Sequence, residues 1–293
     1  MQSYKVACAF GSTLPYLHSS NMANLHGTDV IKRNNVQIKG KGRQTMIFAH
    51  GFGCDHNMWR HVTPAFEDEY RVVLFDNVGA GGSDLAAFDE KKYGTLHGYA
   101  RDLNEILHAV QAENTIFVGH SVSAMVGILA CIEEPGLFDK LVLVGPSPSY
   151  VNEGDYVGGF NREDIEQMLD FLDTNYLGWS STMAPAIMGN PDRPGLAGEL
   201  ENSFCRTDPR IASHFARTTF LSDHRADLPK LRKPSLILQC SDDVIAPDAV
   251  GRYMHAQLAD SSFVQMQATG HCPNLSAPEE TIREMRAFLG SNP

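Results

Sequence analysis

Residues 115–133 read TIFVGHSVSAMVGILACIE. Thr115 to Val118 form a short run without charge, and Gly119-His120-Ser121-Val122-Ser123 follows it directly. After that, Ala124, Met125, Ile128, Leu129 and Ile132 recur at helical spacing. Such a run, closed by a glycine turn, reads as a buried strand, and the recurrence at three and four reads as a buried helix. Ser121 therefore falls on a strand-to-helix junction. A tight junction of this kind strains the serine backbone and lifts its hydroxyl above the sheet, which requires small neighbours on both sides. Gly119 is one such neighbour. Ser123 stands where a glycine is usual and adds a CH₂OH group at a crowded point.

Similar apolar runs flank this stretch. They lie at 45–49 (TMIFA), 71–75 (RVVLF), 140–144 (KLVLV), 235–239 (SLILQ) and 262–267. Between two of them, Leu96, Tyr99, Leu103, Ile106, Leu107 and Val110 mark an amphipathic helix over 95–110. Strands that are apolar throughout need cover on both faces, which predicts a mostly parallel sheet with crossover helices. Residues 30–40 (VIKRNNVQIKG) read as a polar edge hairpin. From 149 to 228 no strand is evident, and helices are expected at 161–177, 180–188, 195–205 and 208–221. Asn161 with Asp164 forms a helix-start pattern. A helix is expected after Pro247, then the last strand, a loop at 268–277 and a closing helix at 279–289. The expected organisation is a loose N-terminal extension at 1–24 and an α/β core at 25–148 that resumes at 229–293. A helical cap at 149–228 is inserted after a sheet strand, where the active-site loops of open α/β sheets lie.

Composition narrows the function. Lys and Arg number 24 against 35 Asp and Glu, a net charge of −11 with no basic stripe, so nucleic acid is not an expected partner. No apolar stretch is long enough for a membrane span. The six cysteines, Cys8, Cys54, Cys131, Cys205, Cys240 and Cys272, are scattered with no CxxC pair, which suits a reduced, cytoplasmic protein.

A serine nucleophile needs a base, and His271 lies in the loop after the last strand. The base in turn needs a carboxylate. Asp242 and Asp243 both follow SLILQ, adjacent residues point differently, and Asp243 is the preferred orienter with Asp242 the alternative. The chain order Ser121, Asp243, His271 matches the α/β-hydrolase arrangement. Backbone N–H groups of Phe52, in the turn His50-Gly51-Phe52-Gly53, and of Val122 are the candidate oxyanion donors. His50 and His120 read as packing or supporting groups beside the site. The glycine-rich stretch Asp76 to Ser83 lacks dinucleotide spacing and a Walker lysine, so it reads as a structural turn. No cofactor and no metal are expected. Phe160, Trp179, Phe204, Phe215, Phe220 and other apolar residues of 149–228 point to a pocket for a small, hydrophobic, uncharged ligand.

These residues carry a resemblance. GFGCD at 51–55, FVGHSV at 117–122, VGPSPSY at 144–150, FLSDHRADL at 220–228, LILQCSDDVIAP at 236–247 and GHCP at 270–273 resemble the RsbQ-like bacterial energy-stress regulators. These belong with the plant strigolactone and karrikin receptor hydrolases. The resemblance implies an α/β-hydrolase fold with a four-helix cap and a serine hydrolase acting on a small lipophilic ester or lactone. It also implies a role in stress or signal transduction. The family's catalytic serine, aspartate and histidine fall at Ser121, Asp243 and His271, and its oxyanion groups at Phe52 and Val122. A protein partner such as a serine phosphatase is implied as well, and with it the alternative of a receptor-type protein that hydrolyses slowly or once. A non-catalytic small-molecule binder is the third reading. Two positions depart from the pattern: Ser123 at the elbow, and His50 where the bacterial regulators have proline.

Overall fold

A computed structural model of the chain describes residues 29–290. The expected extension at 1–24 lies outside the described residues. Seven strands form one sheet: β1 (Gln37–Lys39), β2 (Thr45–Ala49), β3 (Arg71–Leu74), β4 (Thr115–His120), β5 (Phe138–Val144), β6 (Ser235–Gln239) and β7 (Ser261–Gln265). Their order is β1-β3-β2-β4-β5-β6-β7. Only β1 runs antiparallel to its neighbour, and every other pairing is parallel.

The alternation of side chains divides these strands between two cores. Met46, Phe48, Ile116, Val118, Val142 and Leu236 enter one cluster. Ile47, Ala49, Phe117, Leu141, Leu143 and Ile237 enter the other. Both faces are dry, as uncharged strands require. Helices α2 (Leu96–Ala109) and α3 (Val122–Glu133) cover the second face. Gly127 lets α3 lie close against the sheet, because a Cβ there would stand 2.0 Å from the Phe117 ring.

Four α-helices lie between β5 and β6: α4 (Arg162–Thr174), α5 (Tyr176–Met188), α6 (Pro194–Cys205) and α7 (Pro209–Phe220). Asn161 and Asp164 close a capping box at the start of α4, with the Asn161 N–H donating to the Asp164 carboxylate at 3.2 Å. The described residues end with α8 (Asp248–Gln257), the short α9 (Pro273–Ser276) and α10 (Pro278–Gly290). The predicted loop at 268–277 thus holds one helical turn.

The hairpin expected at 30–40 does not form. Residues 29–33 are helical (α1), and only the second arm becomes a strand, β1. Arg33 decides this. Its guanidinium reaches Asp102 at 3.1 Å and Glu105 at 2.6 Å on α2, while Val30 and Ile31 pack on the core. Tertiary contacts here outweigh local alternation.

The turn after β3 is built on one buried carboxylate. Asp76 Oδ1 accepts from the His56 backbone N–H at 2.8 Å and from His56 Nδ1 at 2.9 Å. Oδ2 accepts from Asn35 Nδ2 at 2.8 Å and from the Gly82 N–H at 2.9 Å. Ser83 Oγ accepts from the Gly79 N–H at 3.0 Å, so this glycine-rich stretch is the structural turn the sequence predicts. Burial alone would raise the Asp76 pKa, but its donors and the neighbouring histidines hold it at about 2. The bond to Asp76 in turn raises His56.

The two groups act in opposite directions with pH. The Asp76 contribution is present above the ordinary carboxylate range and is lost as pH falls toward 2. The His56 contribution is complete below the ordinary imidazole range and fades as pH rises through its raised value. Asp76→Asn is therefore expected to cost about 2 kcal/mol or more near pH 5.5, read by urea unfolding. The gap to the parent should close as the pH approaches 2; a constant gap would refute this ionic role.

Candidate active site

Ser121 occupies φ 56° and ψ −127°, a region that side chains with a Cβ rarely adopt. Its backbone N–H donates to the Val144 carbonyl at the end of β5 at 2.8 Å, which pins the turn between two strands. The Ala124 N–H returns to the Ser121 carbonyl at 2.9 Å and starts α3. The strain is thus held by the sheet on one side and a helix on the other.

From that turn the hydroxyl meets His271. Ser121 Oγ lies 2.7 Å from His271 Nε2, and His271 Nδ1 lies 2.7 Å from Asp243 Oδ2. A carboxylate only accepts, so Nδ1 of the neutral ring carries the proton and Nε2 accepts from the serine hydroxyl. Asp243 Oδ1 accepts the N–H groups of Ile245 at 2.9 Å and Ala246 at 3.1 Å. Burial alone would raise the Asp243 pKa, but the nearby His271 and these donors outweigh it and the pKa is lowered. Asp242 is exposed and serves through its backbone, accepting the Gly270 N–H at 2.7 Å. Of the two aspartates, Asp243 is the one that reaches the ring.

The His271 main chain is also fixed. Its N–H donates to the Ile187 carbonyl on α5 at 2.8 Å, and its carbonyl accepts from His120 Nε2 at 2.7 Å. Burial, with His271 nearby, lowers the His120 pKa to about 3, so this donor ring is neutral.

The turn at 50–53 lies against the elbow. A Cβ on Gly51 would stand 2.5 Å from His120 Nδ1 and 3.2 Å from Ser121 Cβ, so only glycine permits this approach. Among the described residues, neither the Phe52 N–H nor the Val122 N–H has an acceptor within the chain. The Phe52 ring packs among the α5–α7 aromatics, with Trp179, Phe204, Phe215 and Phe220 at 5.6–6.2 Å between centroids.

A cavity opens at Ser121 and His271, lined by Phe52, Ile187, Leu200, Phe204, Phe220 and Ile245. Its free space is about 30 Å³, the room of a water molecule or two. Two cysteines, Cys54 and Cys272, complete the wall. The scattered cysteines of the sequence give no sign of this lining role. Burial raises both thiols, Cys54 to about 12, so they remain protonated. Among the described residues, no three His, Cys, Asp or Glu side chains gather as a metal site. No helix of the described residues is long and apolar enough to cross a membrane.

Known proteins share this architecture. Residues 46–284 match the model of the alpha/beta hydrolase family. The chain is 42% identical over 254 residues to the karrikin insensitive 2 receptor CA of Petunia hybrida, covering 86% of this chain and 94% of that receptor. With a strigolactone esterase of Arabidopsis thaliana it shares 37% over 262 residues, covering 89% of this chain and 98% of the esterase. A hydrolase of Oleispira antarctica with a solved structure superposes at TM-score 0.88 and 41% identity, covering 91% of this chain and 98% of the other. A strained serine after a central parallel strand, joined through one histidine to a carboxylate two strands away, accompanies these matches, and the chain belongs to the alpha/beta hydrolase family.

Proposed function

We propose that the protein cleaves a small, uncharged, lipophilic ester or lactone through an acyl-enzyme. Ser121 is the nucleophile, His271 the general base and then acid, and Asp243 the carboxylate that orients the ring. The Phe52 and Val122 N–H groups receive the oxyanion. The observation that carries this reading is the unbroken line from Asp243 through His271 to Ser121, both links at 2.7 Å, ending in an apolar cavity.

Ser121 Oγ attacks the carbonyl carbon while His271 Nε2 takes its proton. Asp243 balances the charge that develops on the imidazole. The carbonyl oxygen gains negative charge and is met by the two backbone donors, which are strongest in a water-poor site. His271 returns the proton to the leaving alkoxide. Water then enters, loses a proton to His271 and attacks the acyl carbon; the acyl–Oγ bond breaks, and His271 returns that proton to Ser121 Oγ as the acid leaves. With so little free space, the helices at 149–228 act as a cap that must shift to admit a ligand. The sequence motifs that resemble the RsbQ-like regulators add a cytoplasmic setting and a stress-signalling role to this reading.

A second reading is favoured by one contact. The Ile187 carbonyl on the inserted helices accepts the His271 N–H, so a change at the histidine is passed to the cap. Slow or single-turnover hydrolysis would then alter the surface seen by a protein partner such as a serine phosphatase.

Stopped-flow hydrolysis of p-nitrophenyl acetate and butyrate tests both readings. A burst equal to the enzyme concentration, followed by steady turnover, is expected. Ser121→Ala should abolish the burst and lower turnover by at least about 10³-fold, with the melting temperature kept. A full burst with negligible turnover would favour the signalling reading. Unchanged kinetics in Ser121→Ala would refute both. The lining holds no Lys or Arg, so a carboxylate-bearing ester should react at least about 100-fold more slowly than its neutral counterpart. Equal kcat/KM values for the pair would contradict the proposed ligand class.

A further inference from the structure

We propose that His50, held by Ser123 and Asn77, is a positioning residue that aims the Phe52 N–H into the oxyanion site. The inference rests on the hydrolase reading above and adds to it the means by which the hole is held.

The Gly51 carbonyl and the Phe52 N–H belong to one planar trans peptide and point in opposite directions. Whatever holds that carbonyl therefore aims that N–H. The holder is the His50 ring, with Nδ1 at 2.9 Å from the Gly51 oxygen. The other ring nitrogen, Nε2, lies 3.0 Å from the Asn77 backbone nitrogen, whose N–H can only donate. Nε2 is thus the acceptor, and the proton sits on Nδ1, directed at Gly51. Burial lowers the His50 pKa and keeps the ring neutral in this one tautomer. A second N–H, from Cys54, reaches the same Gly51 oxygen at 3.3 Å.

His50 is itself anchored to the elbow. The Ser123 hydroxyl donates to the His50 carbonyl, and Asn77 Nδ2 approaches Ser123 Oγ at 3.4 Å. Ser123 directly follows Val122. One small network therefore ties the segment bearing the Val122 N–H to the segment bearing the Phe52 N–H. The Ser123 hydroxyl thus holds the backbone of residue 50, through a carbonyl that any residue there would offer, while the bonds to Gly51 and Asn77 are made by the imidazole itself. Volume alone would be met by a leucine at a position that is 1% exposed. Both ring nitrogens engaged on separate backbone turns give His50 a directional task instead.

His50→Leu and His50→Asn separate these roles. Asparagine places an amide nitrogen near the Nδ1 position and keeps a donor for Gly51; leucine keeps the volume alone. Both lose the bond to the Asn77 N–H, so the difference between them reports the Nδ1 proton. Turnover is measured per site counted by fluorophosphonate titration. Affinity is measured for a trifluoromethyl ketone, which forms a hemiketal oxyanion on Ser121, and for the matching unreactive alcohol. His50→Leu is expected to lose about 10- to 100-fold in kcat, a part of what one oxyanion donor supplies, with KM within about twofold. Ketone affinity should fall by the same factor while alcohol affinity holds, and His50→Asn should recover most of both. Ser123→Ala should lose a smaller factor in the same two readouts, and it carries the test if His50→Leu does not fold. Equal losses in Leu and Asn, or a Ser123→Ala protein with parental ketone affinity, would overturn the proposal. If the parent forms no ketone adduct and Ser121→Ala matches it, the hydrolase reading fails instead.

Discussion

His271 is held at four points by three separate segments, and the rest of the site is arranged around that constraint. Nδ1 is tied to Asp243 after β6, and Nε2 to Ser121 after β4. The main-chain N–H is tied to Ile187 on α5, and the carbonyl to His120 at the end of β4. A ring with both nitrogens assigned has one tautomer and one orientation. Its loop is fixed from both sides as well, so little conformational entropy remains to be lost when a reacting group arrives. The inserted helices take part in this fixation directly, through a backbone carbonyl rather than a side chain. Their position and the placement of the imidazole are therefore one mechanical problem.

The surroundings of this ring are kept uncharged, with one exception. His120 and His50 are driven neutral by burial, and the Cys54 and Cys272 thiols are driven the same way. Of the side chains bonded to the ring, Asp243 is the ionised one, because His271 and two backbone donors offset its burial. A carboxylate buried among apolar side chains acts more strongly on the proton shared by Ser121 and His271 than it would in water. The same burial makes each backbone donor near the serine worth more than it would be in solution. Apolar lining and polar chemistry are thus complementary here.

Much of the fold is legible in the sequence because the strands are apolar on both faces, a pattern that only a covered parallel sheet satisfies. The helices between β5 and β6 are legible from their spacing and from Asn161 and Asp164. The segment at 30–33 is not, because its helix depends on Arg33 meeting Asp102 and Glu105, partners roughly 70 residues away. At the site, the loci of Ser121, Asp243 and His271 are visible as residues at strand ends, and the structure brings their side chains together. Hidden from the sequence are the contacts made by backbone atoms: the Ile187 carbonyl, the Asn77 N–H and the Gly51 carbonyl. Letters record side chains, and these groups are the same in every residue. Cys54 and Cys272 are hidden for another reason. Their place in the wall depends on how the inserted helices settle, which no local pattern encodes.

The sheet order explains why one strand at the centre of the site supplies no functional side chain. Ser121 follows β4, Asp243 follows β6 and His271 follows β7, while β5 lies between the first two. Neighbouring strands stand about 4.8 Å apart, so serine and carboxylate start nearly 10 Å from each other and the histidine starts farther still. An imidazole is long enough to bridge that gap only if it lies flat across the end of β5. Residue 145, directly after β5, must then present nothing in its path. Gly145 meets that demand: it adopts φ +56°, and a Cβ there would stand 3.2 Å from His271 Cε1 and 3.4 Å from Nδ1. The empty position is as much a part of the site as the three side chains, because it lets residues from three strands act as one group.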